Sequence, residues 1–191
     1  MYMKLNQIAT LTSGYTFRGP VENDPKGDVF VVQAKNISIN VDIVGSDDLS
    51  CIFSKPIRNP YFLQRNDILL VSRGTGHGSF RASVFAADDN NIMASSSVHV
   101  IRVTNVTVLP KYLCLFLNSV EGQKKISEKV TGGSNIQSIL LKNLSDLEIM
   151  IPFAHVQKTI IALHENLIEQ EKIRIRKKEI QQTIFNSSFN N

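Results

Sequence analysis

At 191 residues, 42% hydrophobic and 20% charged, the chain suits one domain with an appendage, or two small domains, of an ordinary globular protein. No apolar run reaches the roughly 18 residues that span a bilayer, and the opening Met1–Gln7 lacks a signal-peptide core. A net charge of +4 and a pI of about 9.1 permit a nucleic-acid partner without demanding one.

In chain order, residues 4–12 read as a short helical or turn-like opening that ends at Ser13-Gly14. Val29–Gln33 is a continuous β-branched and aromatic run, hence a buried strand, and Ile39–Val44 is expected to pair as another. Ser54–Tyr61, with prolines at 56 and 60, reads as a loop. Asp67–Ser72 is the clearest strand. It runs into Arg73-Gly74-Thr75-Gly76-His77-Gly78-Ser79, whose alternate glycines rule out regular packing, before Phe80–Ala86 resumes a strand pattern. Ile92–Ala94 and Val98–Val103 add further strand. Pro110 opens a helix whose broad apolar face continues through Gln123–Val130. Ser134–Asn143 reads as a loop with a short helical turn, and Leu147–Ile151 as the last strand. The order predicts an α+β fold: a β-rich body over 1–152, then one long helix within 153–191.

That helix carries Val156, Ile160, Leu163 and Leu167 at 4-3-4 spacing, the seam of a coiled coil or bundle. The stripe slips phase and resumes at Ile173, Ile180 and Ile184, with Gln170 and Lys177 between. A narrow apolar stripe on so charged a helix needs a partner. Folding back along its own body is the competing reading. The basic stretch Lys172–Lys178 reads first as a solvated face, and second as a surface for DNA or an acidic partner.

Several motifs in order resemble the specificity subunits of type I restriction-modification systems. They are Lys4-Leu5 leading to Gly14, Asp67-Ile68-Leu69 ending in Gly74, Pro110-Lys111-Tyr112-Leu113, Gly133-Ser134, and Ile149-Met150-Ile151-Pro152 followed by Gln157 and Ile160. The chain departs from the family pattern at Phe153, Ala154 and Val156. The resemblance implies a target recognition domain with a spacer helix, about half of a subunit that normally carries two of each. It further implies double-stranded DNA as ligand. The protein partners would be a modification subunit that methylates adenine with S-adenosylmethionine, and a restriction subunit where one exists. Two copies would dimerise through the helix on a bipartite site. The chain itself would hold no cofactor and catalyse nothing. A protein that imitates such a domain, binding the methyltransferase subunit without reading DNA, is the alternative.

On this resemblance Arg73, Thr75, His77, Ser79 and Arg81 become candidate DNA contacts, because Arg pairs bidentately with guanine and hydroxyls reach bases or phosphates. The plainer reading is a hairpin whose glycines serve the turn. Lys35 and Asn36 at a strand end, and Ser134, Asn135 and Gln137 in a glycine-serine loop, are candidates of the same kind, against ordinary capping. The glycines lack the following helix or Walker lysine of a nucleotide loop. Asn59-Pro60-Tyr61-Phe62 lacks the second proline of the adenine-methyltransferase motif. Four histidines (His77, His99, His155 and His164) have no metal spacing, and Ser95–Ser97 has no triad partner. Cys51 and Cys114 read as buried thiols in a reducing compartment, which places the protein in the cytoplasm.

Overall fold

The computed structural model describes residues 1–53, 61–76, 78–132, 136–187 and 189. In chain order it forms β1 (Tyr2–Lys4), β2 (Ala9–Ser13), β3 (Val29–Val32), β4 (Ser50–Ile52), β5 (Ile68–Val71), β6 (Arg73–Gly74), β7 (Ala82–Val84), β8 (Ile92–Ala94) and β9 (Val98–Val103). Then come α1 (Pro110–Asn118), α2 (Val120–Ser127), β10 (Thr131–Gly132), β11 (Gln137–Ser138), α3 (Leu141–Ser145), β12 (Glu148–Met150) and α4 (Ala154–Ser187). The fold is α+β, a strand-rich body followed by one long helix.

The centre is an antiparallel sheet in the order β2-β9-β5-β7. Its two faces support separate cores. Ile68, Leu70, Ala82, Val84 and Ile101 pack with Leu113 and Leu117 of α1 and with Leu144 of α3. On the other face Leu69, Val71, Val98 and Val100 pack with Val32, Phe85 and Ile92. A sheet covered on both faces needs apolar residues at every position, so Ile68–Val71 is a continuous run rather than an alternation. A second sheet, β4-β3-β8, lies beyond this second core, with β3 and β8 parallel.

Asp67, at the entry to β5, is almost wholly buried. Its carboxylate accepts Nε and Nη2 of Arg102, both at 2.7 Å, and the backbone N–H of Gln64 at 2.8 Å. Arg102 also stacks on the Tyr61 ring, 4.9 Å from its centroid. The bidentate pair fixes β5 against β9 at the end opposite the glycine loop.

Three sequence expectations need correction. The opening is not helical throughout: β1 and β2 flank a single 3-10 turn, Leu5–Gln7, because residues 9–13 complete the central sheet beside β9. Ile39–Val44 forms no strand. Asn40 has φ +68°, which breaks extension, and only Ile43 bridges to Phe85. The helix predicted from Pro110 to Val130 is two helices, broken at Ser119. There the serine caps α2 by accepting Gly122 N–H at 3.1 Å, and a Cβ on Gly122 would lie 1.9 Å from the Phe116 carbonyl oxygen. The loop expected over 54–61 falls, except for Tyr61, outside the described residues.

The N-terminus and the junction before α4 form one knot. β1 pairs antiparallel with β12, and Tyr112 donates its hydroxyl to the Met150 carbonyl at 2.7 Å. Gln157, fully buried, accepts Leu109 N–H and donates to the carbonyls of Thr107 and Pro152, at 2.8, 2.8 and 2.9 Å. The first turns of α4 face the body through Gln157, Ile161 and His164, whose Nε2 meets Asn40 Oδ1 at 2.8 Å. The predicted seam stands one residue earlier on the wheel. Leu163 and Leu167 are 61% and 54% exposed, and Ile160, Ile173, Ile180 and Ile184 are exposed as well.

Candidate nucleic-acid interface

Two stretches that the sequence offered as separate candidates meet in a small antiparallel sheet, β10-β11-β6. Arg73 pairs with Ser138 and Gly74 with Gln137, while Thr131 pairs with Ser138 on the other side. Side chains alternate across a strand, so Arg73, Ser138 and Thr131 share one face. Gln137 stands on the opposite face. There it lines a cleft of about 270 Å³ with Gly76, Gly78, Gln123 and Ser127. Arg73 and Gln137, both predicted contacts, therefore address different sides of the same element.

The glycine loop closes on itself. Ser79 Oγ donates to the Gly76 carbonyl at 2.7 Å, and a Cβ on Gly74 would lie 2.1 Å from that hydroxyl oxygen. Gly76 and Gly78 have φ of +88° and +78°, a region that L side chains rarely enter. Thr75 is exposed at the tip. Arg73 is exposed too, and no hydrogen bond or ion pair holds its guanidinium among the described residues. An untethered arginine beside a glycine turn can reach into a groove without steric cost from its neighbours.

The small sheet is fastened to the central one at its root. Ile139 N–H donates to the Ser72 carbonyl at 3.1 Å, and Ser72 Oγ donates to the Ser96 carbonyl at 3.0 Å. Beneath lies His99, 6% exposed, with Nε2 donating to the Ile139 carbonyl at 2.8 Å. Burial holds the His99 pKa below the usual histidine value against the raising effect of that bond, and the Arg73 charge pushes it the same way as burial.

The remaining candidates separate into engaged and free. Asn36 is engaged on both amide atoms: Oδ1 accepts Gln33 N–H at 2.9 Å and Nδ2 donates to the Asp48 carbonyl at 2.8 Å. Arg81 Nε and Nη2 donate to the carbonyls of Ile37 and Ala34, at 3.0 and 3.4 Å, which braces the Ala34–Asn36 turn against β7. Lys35 is exposed on that turn, beside a hollow also lined by Asp42, Asp47 and Asp48. His77, Ser134 and Asn135 lie outside the described residues. Thr131 and Ser138, which share the Arg73 face, were not among the sequence candidates; their place beside Arg73 follows from strand pairing between distant segments.

No catalytic grouping appears among the described residues. Burial pushes the Cys114 thiol up to about 12; among the described residues no three His, Cys, Asp or Glu side chains gather as a metal site, and no helix is long and apolar enough to cross a membrane. Three of the six Lys and Arg side chains of α4 pair along the helix, Lys172 with Glu169, Arg174 with Glu171 and Arg176 with Glu179.

A strand-rich α+β body that carries one long, largely exposed helix is the class of protein these features define. Residues 1–184 match the type I restriction modification DNA specificity domain, and the chain belongs to that family, whose members are recognition units and not catalysts. Solved structures agree on the fold. The HsdS subunit from Thermoanaerobacter tengcongensis superposes with a TM-score of 0.58 at 16% identity, covering 89% of this chain and 37% of that one. The type I restriction-modification S subunit from M. genitalium gives 0.55 at 20%, covering 93% and 42%. A chain from a structure of complex assembly and conformational transition in the type I R-M system gives 0.62 at 16%, covering 89% and 38%. This chain thus spans about two-fifths of the length of those it superposes on. No curated protein matches it.

Proposed function

We propose that this chain is a sequence-specific DNA reader that directs an adenine methyltransferase, and a restriction subunit where one is present, to a bipartite site. The observation that carries the reading is the β10-β11-β6 sheet, which offers Arg73, exposed and without a partner among the described residues, with Thr131 and Ser138 on one face, next to the exposed Thr75 turn. Arg73 reads a base edge, guanine being its best partner, and the hydroxyls and backbone N–H groups around it contact phosphates. Lys35 adds a phosphate contact from the far end of the Arg81 brace. Asn36, Arg81 and Ser79 shape the loops that carry these groups. Affinity then rests mainly on phosphate contacts and falls steeply with salt.

The second half of the site is read by a second body. The exposed stripe Leu163, Leu167, Ile173, Ile180 and Ile184 supports pairing of two α4 helices, with the modification subunit docked along them. Two identical readers imply a palindromic, interrupted motif. The test is methylation sequencing of a host that expresses this chain with its modification subunit. A new interrupted motif that depends on the chain supports the reading. Co-purification without any new motif means that the chain binds the methyltransferase and does not read DNA.

A further inference from the structure

One histidine is buried in the central sheet, away from the Arg73 face. His99 lies in the middle of β9, opposite Leu70 of β5 and Ser13 of β2. A histidine there is costly: neighbouring positions on that face are Leu70 and Ile101, both fully buried. Its Nδ1 is buried and has no hydrogen-bond partner among the described residues. A leucine would fill such a place without an unpaired polar atom.

What histidine provides there is reach. From β9 its Nε2 spans to the Ile139 carbonyl, the residue directly after β11. On its other side Ile139 donates to Ser72, the residue directly before Arg73. One peptide segment is thereby held from both directions at the point where the small sheet leaves the large one. The small strands are two residues each and carry few bonds of their own, so without this anchor β11 could slip or detach. A one-residue slip would turn Ser138 away from the Arg73 face and bring Gln137 onto it.

We propose that His99 is a positioning residue for sequence recognition: its Nε2–H latch on Ile139 fixes the register of β11 against β6, and with it the face presented by Arg73, Ser138 and Thr131. This rests on the recognition reading given above. His99 touches no DNA. It acts through β11 alone, so its loss alters which sequences are preferred and leaves the phosphate contacts, and the salt dependence they set, unchanged.

The test compares His99→Gln with His99→Asn in the full chain. Glutamine places an amide N–H near the position of Nε2 and keeps the latch. Asparagine is similarly polar but too short to reach Ile139. Amide hydrogen exchange without DNA should show Ile139 exchanging about tenfold faster in the asparagine variant and close to wild type in the glutamine variant. Selection from a randomised duplex library should retain the wild-type preference with glutamine and lose it at one or two adjacent base pairs with asparagine, the salt slope unchanged. Equal exchange in the two variants overturns the latch, as does faster exchange spread evenly over β5 and β9, which is global destabilisation. A persisting exchange difference with unaltered selection overturns the positioning role. If the wild type itself selects no sequence while the exchange difference persists, the recognition reading fails and the latch on β11 stands.

Discussion

The side-chain oxygen of Gln157 accepts the backbone N–H of Leu109 at 2.8 Å, and the same amide donates to Thr107 and Pro152. One residue in the first turn of α4 therefore ties together the loop before α1, the end of the last strand and the helix itself. With Tyr112 on the Met150 carbonyl and Ile151 N–H on the Met1 carbonyl, the junction becomes rigid. A rigid junction lets a long helix fix the direction in which it leaves the body.

Gln157→Leu should accordingly lower stability by roughly 1–3 kcal/mol, since it removes the three hydrogen bonds of a fully buried amide and takes that partner from the half-buried Leu109 N–H and the Thr107 and Pro152 carbonyls. Urea unfolding measures this directly. An unchanged midpoint would mean that neighbouring groups re-satisfy the loop, and that the amide is not what holds the helix to the body.

Why Gln157 sits in the family-like junction could not be read from sequence, because its three partners are remote backbone groups. The same is true of Tyr112 and Asp67: their motifs were legible, their bonds were not. Strands 68–71, 92–94 and 98–103 and the long helix were legible because burial on both faces, or helical length, leaves a strong pattern. The face that α4 turns to the body lies one residue along from the predicted seam and was not legible, since Gln157 and His164 interrupt its apolar pattern. Among the candidate contacts, glycine spacing revealed the loop. Only long-range pairing could show that residues 73–74 and 137–138 are neighbours on a sheet, and that Arg73 and Gln137 look opposite ways.

Arg73→Ala should relax preference at one base position by about 1–3 kcal/mol. Body stability should stay the same, because the side chain is exposed and makes no bond among the described residues. Selection from a randomised duplex library together with a thermal melt separates the two effects. An unchanged motif would remove Arg73 from the reading face and move attention to Thr75.

His99 has its pKa lowered by burial, so in acid the unfolded chain takes up a proton that the folded chain resists. The folded state then binds fewer protons than the unfolded one, and stability falls as pH drops below the ordinary histidine value of about 6.5. The loss continues down to the depressed folded pKa and stops there. The slope from this one group is at most about 1.4 kcal/mol per pH unit. Urea midpoints taken between mild acid and neutrality should show it in the wild type and not in His99→Gln. Identical pH profiles would mean that His99 titrates as freely in the fold as in the unfolded chain.

The exposed α4 stripe makes the last prediction. If two copies pair along Leu163, Leu167 and Ile173, each leucine buried at the interface contributes about 1.5–3 kcal/mol. The double variant Leu163→Glu with Leu167→Glu should weaken the dimer by at least about a hundredfold, which moves the assembly to monomer at micromolar concentration. Both side chains are more than half exposed in the single chain, so the unfolding midpoint of the body should not follow. Sedimentation equilibrium reads the first quantity and a thermal melt the second. A wild type that stays monomeric at every concentration would leave the stripe to the modification subunit. The same double variant should then lose co-purification with that subunit while still folding.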